Sequence, residues 1–186
     1  VFVKGCSLRC KWCSNPESIR PKPELDFNRK LCKGAKECGL CLKAPFPQGA
    51  FYVVDGEDDK VHANWDLANL ITEEQAILCP TSAIGVFGKM MSAREVLDEV
   101  LKDESMYRNT GGGVTISGGE CLLQPDFVAA ILRGAQESGI HTAIETAGNV
   151  PWDYMEKVLQ YVDLMQHDNK LMDPERHKKW TGVDNK

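Results

Sequence analysis

Three cysteines, Cys6, Cys10 and Cys13, stand in a C-x3-C-x2-C spacing directly behind the apolar run Val1-Phe2-Val3. A strand that feeds Gly5 and then a tight loop turns three thiolates toward one point, so the first chemistry to consider is metal binding. A closed tetrahedral zinc site takes four ligands, and a cubane iron-sulfur cluster has four irons to hold. A set of three cysteines therefore leaves one metal position open, where a substrate can bind. The same residues also suit a zinc site that borrows its fourth ligand from elsewhere, or a set of reduced structural thiols.

Four more cysteines, Cys32, Cys38, Cys41 and Cys79, make up a second set, with Pro80 behind the last as in bacterial ferredoxin runs. Cys38 and Cys41 form a chelating C-x2-C pair, and four thiolates complete a closed 4Fe-4S cluster. A structural zinc site with four cysteine ligands would staple the same segment equally well. Cys121 is then left over, and its simplest reading is a small, semi-buried apolar residue.

These groups must be positioned by the rest of the chain. Val1 to Lys4 reads as a short buried strand. Residues 19–88 change texture: prolines at 21, 23, 45, 47 and 80, scattered glycines and little periodicity describe a loop-rich insertion that buries little apolar surface by itself. Within it, Ala50 to Val54 and Lys60 to His62 read as strands around the turn at residues 55–59, and a short helix from Asn64 or Asp66 runs toward Leu78. His62 reads as a surface strand residue.

From residue 89 the pattern turns regular. Ser92 and Glu95 form a capping box before a helix with Val96, Leu97, Val100 and Leu101 on one face. Strands are expected at Val114 to Ser117, His141 to Glu145 and Val162 to Gln166. Helices are expected from Pro125 to the stop at Gly139 and from Trp152 to Tyr161. Alternating strands and helices with short connections predict an α/β fold of parallel βα units, whose ligands gather at the carboxyl ends of the strands. At those ends lie the Cys6 loop, Gly118-Gly119-Glu120, Glu145-Thr146 and Asp168-Asn169-Lys170. The division expected is 1–18 for the first strand and cysteine loop, 19–88 for the insertion and 89–186 for the remaining βα units.

Composition narrows the classes. With 26% charged residues and a net charge of −5, the chain has no basic stripe for nucleic acid, and it has no apolar run long enough to span a bilayer. Eight cysteines in C-x2-C and C-x3-C spacings, with no signal peptide in view, favour a reducing cytoplasm over a disulfide scaffold. The start at Val1, already inside a strand, reads as that of a fragment.

The run from Gly5 to Ser18, with Trp12 and Ser14-Asn15-Pro16-Glu17 around the third cysteine, resembles the radical S-adenosylmethionine (SAM) enzymes and, more narrowly, the activating enzymes of glycyl radical enzymes. The resemblance implies a partial (βα) radical SAM barrel, truncated at its C-terminus, with a ferredoxin-like insertion. It implies two 4Fe-4S clusters: one on Cys6, Cys10 and Cys13 with SAM on the open iron, the other on Cys32, Cys38, Cys41 and Cys79. SAM contacts are implied at Trp12, Cys13, Ser14, Gly118, Gly119, Glu120, Asp168, Asn169 and Lys170. Also implied are reductive cleavage of SAM, a glycyl radical enzyme as partner, and a flavodoxin or ferredoxin as reductant. Cys121 and Asn169 stand where the family usually has proline and an apolar residue. The rival readings are a radical SAM enzyme acting on a small molecule, a ferredoxin-like electron carrier and a zinc-stapled binding module.

Overall fold

The structure is a computed structural model that describes residues 1–43, 45–57 and 59–185. In chain order its regular elements are β1 (Phe2–Val3), β2 (Glu24–Phe27), β3 (Phe51–Tyr52), β4 (His62–Ala63), α1 (Trp65–Ala68), α2 (Glu73–Ala76), β5 (Ile84–Phe87), α3 (Ala93–Leu101), α4 (Glu104–Thr110), β6 (Gly113–Gly118), α5 (Pro125–Glu137), β7 (His141–Thr146), α6 (Trp152–Leu159), β8 (Leu164–His167) and α7 (Pro174–Thr181). They fall into two compact units, Val1–Lys22 with Met90–Lys186, and Pro23–Lys89.

The first unit is α/β. Its four strands form a parallel sheet in the order β1-β6-β7-β8, with Val3 opposite Gly118, Ile116 opposite Ile144 and Thr146 opposite His167. Both halves of the capping box at Ser92 and Glu95 are made, and Gly139 ends the turn after α5 with φ +71°. Val128, Ile131, Leu132 and Ala135 repeat at helical spacing on α5, and all four are fully buried with Ile116, Leu122 and Ile144. Each such large aliphatic side chain contributes about 1.5–3 kcal/mol on burial, so this unit has a core that does not depend on a metal. The sequence pattern gave no sign of α4 or α7.

The second unit is less loop-rich than its prolines suggest. β2 and β5 pair antiparallel, with Leu25 opposite Val86. β3 and β4 pair as a hairpin across residues 55–59, of which Asp58 lies outside the described residues. The expected helix toward Leu78 is two short ones, α1 and α2, the second started by a capping box of Thr72 and Gln75. Leu25, Phe46, Phe51, Val61, Ile71 and Ile84 form a core of their own, with Phe51 edge-on to Phe27 and Phe46. The expectation that this segment buries little apolar surface is therefore corrected: residues far apart in sequence supply the core. His62 is likewise no plain surface residue. It stacks on Tyr52, and its Nε2 lies 3.0 Å from Glu57 and 3.1 Å from Arg29.

Candidate functional site

The carboxyl ends of parallel strands open toward one side, where β1, β6, β7 and β8 hand over to loops. The loop after β1 is pinned at its base, as the Gly5 and Cys6 amides donate to Ser18 O at 2.8 Å and Ile19 O at 3.0 Å. Farther along, the Arg9 and Lys11 amides donate to the last carbonyls of α7, Thr181 O at 2.6 Å and Trp180 O at 3.0 Å. The unforeseen helix thus holds the cysteine loop through main-chain carbonyls, which leave no side-chain signal in sequence. His177 is buried and holds the same helix end, with Nδ1 2.7 Å from Val183 O and 3.0 Å from Thr181 Oγ1.

Inside the loop lies a cleft of about 350 Å³. Cys6, Cys10, Trp12, Cys13, Ser14, Gly118, Gly119, Asp168 and Lys170 all line it, joined by Glu145 and Thr146 from β7 and by Asn15, Ser18, Ser117 and Ala147. Asn15 and Ser18 lie in the cysteine-loop motif without having been named as contacts, whereas Ser117 and Ala147 are small residues that no motif had singled out. Ser117 Oγ donates to the Glu145 carboxylate across β6 and β7.

Two of the expected contact residues do not line the cleft. Glu120 is buried at 1% exposure and accepts from Thr146 Oγ1 at 2.6 Å, the Ala147 amide at 3.0 Å and the Leu122 amide at 3.2 Å. Its carboxylate therefore braces the end of β7. Asn169 turns its amide to Met172 Sδ at 3.0 Å, while Asp168 and Lys170 on either side pair with each other.

Gly118 and Gly119 line the cleft, and the fold itself also requires them to be glycine. A Cβ on Gly118, at φ +114°, would lie 2.2 Å from Val3 O, and one on Gly119 would lie 2.2 Å from Gly5 O and 2.7 Å from Ser18 O. The missing side chains let β6 seat the backbone of the cysteine loop, and the Glu120 amide completes the contact by donating to Gly5 O at 2.7 Å.

Burial is partly opposed at two of the cleft thiols by nearby polar groups. Burial raises the Cys6 thiol above its ordinary value, opposed by the Leu8 amide and reinforced by Glu120 and the other two cysteines. Burial also raises Cys10, while Lys170 pulls it down. Burial works against the charge on Lys170 in turn, but Asp168, then Cys10 and Cys6, prevail and hold its pKa above the ordinary lysine value. Three thiols that feel one another, a nearby ammonium and room for a guest make a donor set that fits a three-cysteine iron-sulfur cluster. Cys121 is fully buried, donates to Glu145 O at 3.3 Å and lines no part of the cleft.

In the second unit Cys32, Cys38, Cys41 and Cys79 border one small apolar cavity together with Pro80 and Thr81. Burial, then Cys32, pushes the Cys41 thiol up to about 11. Burial acts the same way on Cys79, but the Thr81 hydroxyl and the amides of Thr81, Ile84 and Ala83 outweigh it and lower the pKa. The Gly34 amide donates to Cys32 Sγ at 3.4 Å. All eight cysteines are free, and among the described residues no three His, Cys, Asp or Glu side chains form a group placed to hold a single metal ion. No described helix is long and apolar enough to cross a membrane.

A family model described as the radical SAM superfamily matches residues 77–186. The chain is 40% identical over 185 residues to the (2S)-3-sulfopropanediol dehydratase activating enzyme of Klebsiella oxytoca, covering 100% of this chain and 57% of that protein. It is also 40% identical over 185 residues to the isethionate sulfite-lyase activating enzyme of Oleidesulfovibrio alaskensis, covering 100% and 59%. To the choline trimethylamine-lyase activating enzyme of the same organism it is 37% identical over 186 residues, covering 100% and 58%. The chain thus spans less than three fifths of the length of these relatives.

Proposed function

Because the chain belongs to the radical SAM superfamily, we propose that it acts as the activating enzyme of a glycyl radical enzyme. The observation that carries this reading is the cleft. Three thiols, and not four, meet there with the Gly118-Gly119 turn, Asp168 and Lys170 at the carboxyl ends of four parallel strands. The relatives, all named as activating enzymes, support the same reading.

Cys6, Cys10 and Cys13 would hold a 4Fe-4S cluster that leaves a place for SAM. When bound, cluster and SAM would supply the one-electron reductive chemistry that generates a glycyl radical on the partner enzyme. The chain's own groups hold and orient. Lys170, kept protonated by Asp168, offers its ammonium to a carboxylate and offsets thiolate charge at Cys10. Trp12 and Ser14 wall the cleft, the ring giving an adenine a flat apolar face. Gly118 and Gly119 fix the loop against β6, and Glu120 fixes Thr146 and Ala147 at the end of β7. Asn169 shapes the turn between Asp168 and Lys170 through Met172.

The remaining parts follow the same reading. The parallel sheet is the first part of a radical SAM barrel, and residues 23–89 are a ferredoxin-like insertion carrying a second 4Fe-4S cluster on Cys32, Cys38, Cys41 and Cys79. The partners are a glycyl radical enzyme and a low-potential reductant, in a reducing cytoplasm. An electron carrier would need the second site alone and would leave the first cleft without a purpose. The test is anaerobic reconstitution followed by dithionite and SAM. About eight irons per chain, 5′-deoxyadenosine, and a glycine-centred radical signal when a glycyl radical enzyme is added are expected. Cys13→Ala should abolish the nucleoside product. Iron without cleavage, or zinc in place of iron, would overturn the reading.

A further inference from the structure

The charge of the second unit is unevenly divided along its sequence. Residues 29–43 carry five basic side chains, Arg29, Lys30, Lys33, Lys36 and Lys43, against one acidic residue, Glu37. The rest of Pro23–Lys89 carries nine acidic residues and two basic ones. The basic stretch also contains Cys32, Cys38 and Cys41, so the positive charge is concentrated on the segment that wraps the second thiol cavity.

Apolar side chains stand among these charges. Leu31 is 47% exposed, Leu40 48% and Leu42 39%. Lys33 and Leu40 border the thiol cavity and are exposed to solvent as well, and the four cysteines are themselves partly exposed. Two acidic groups contact the segment: Glu37 pairs with Lys33 at 3.2 Å, and Asp59 Oδ2 takes the Lys36 amide at 3.4 Å. Exposed leucines interleaved with lysines along one short segment are the composition expected for brief, charge-steered contact with an acidic protein.

We propose that residues 29–43 are the docking face for a small acidic electron-carrier protein, which gives up one electron there while the chain's iron-sulfur centres take up one. This rests on the activating-enzyme reading, which needs a reductant, and adds where that reductant lands. Charge complementarity selects the occupant, and the partial exposure of the cysteines sets why it would dock at this face.

The test uses the reconstituted protein and an acidic flavodoxin as probe. Binding is measured against ionic strength for the parent, for Lys30→Glu/Lys36→Glu/Lys43→Glu, and for the same three positions changed to Gln. None of the three lines the thiol cavity, and iron content and visible spectrum check that each variant is folded and loaded. The Glu variant should bind flavodoxin about tenfold or more weakly at low salt and lose most of its salt dependence, with the Gln variant between. Nucleoside production driven by dithionite, which needs no docking, should be unchanged in both. Unchanged flavodoxin affinity in loaded variants overturns the proposal, as does equal weakening by Lys178→Glu/Lys179→Glu on α7. So does a variant that loses affinity for the glycyl radical enzyme and keeps it for flavodoxin. A parent that cleaves no SAM with dithionite would instead sink the activating-enzyme reading itself.

Discussion

Adding a single methyl group at Gly119 separates two roles for the glycine pair. The Cβ of Gly119→Ala would meet Gly5 O at 2.2 Å, whereas ordinary contact begins at 3.4 Å. The backbone fixes the Cβ position and the atom it meets is main chain, so no side-chain rotamer can relieve the clash, and the loop must move by about an ångström. That movement breaks the bond from the Glu120 amide to Gly5 O, now 2.7 Å, and strains the one from Gly5 to Ser18 O. Overpacking costs about 1–3 kcal/mol and each lost hydrogen bond about 1 kcal/mol, so about 2–5 kcal/mol falls on the seating of the cysteine loop. Whole domains are stable by about 5–15 kcal/mol, so the core should survive while the loop detaches. The assay is iron content together with the electron paramagnetic resonance signal of the reduced first cluster, measured beside urea stability. Loss of that signal with a folded core is expected. A variant that builds the cluster normally and loses only SAM affinity would refute the reasoning and return the glycines to ligand approach.

Two other substitutions probe the buried groups behind the cleft. Thr146→Val removes, at nearly constant shape, the 2.6 Å bond to Glu120 and the acceptor of the Gly148 amide at 2.9 Å. It should cost about 2–4 kcal/mol in denaturant unfolding, and Thr146→Ser should restore most of it; a Val variant as stable as the parent would show that Glu120 needs no brace. Cys121 is raised from an ordinary 9.0 to about 12, by burial first and then by Glu120. Folding therefore favours the protonated thiol. Its contribution is complete below about pH 9 and fades as pH climbs toward 12, because the unfolded chain gains by ionising. Cys121→Ala should keep its iron and lose less stability than the parent above pH 9; parallel profiles, or missing iron, would contradict this.

What the sequence announced and what it hid follow a physical division. Local chemistry was legible: the cysteine spacing, the Ser92–Glu95 box, Pro125 opening α5 and Gly139 closing it act within a few residues of themselves. Long-range pairing was not. β2 and β5 find each other across the whole second unit, between prolines that read as loop. α7 is too charged to present an apolar face, and it supports the Cys6 loop through carbonyls that every residue owns. The Gly-Gly-Glu run was located at the site from sequence, but its neighbours were not. That the glycines meet β1 and its loop, and that Glu120 points to Thr146, depends on strand register.

The central claim is that three cysteines leave one iron open to SAM inside this cleft. The most direct measurement is electron-nuclear double resonance on the dithionite-reduced protein with SAM labelled at the methionine nitrogen and carboxylate. Hyperfine coupling from both labels to the first cluster is expected, and it should be lost in Cys13→Ala. A reduced cluster that shows neither coupling with SAM bound would contradict it.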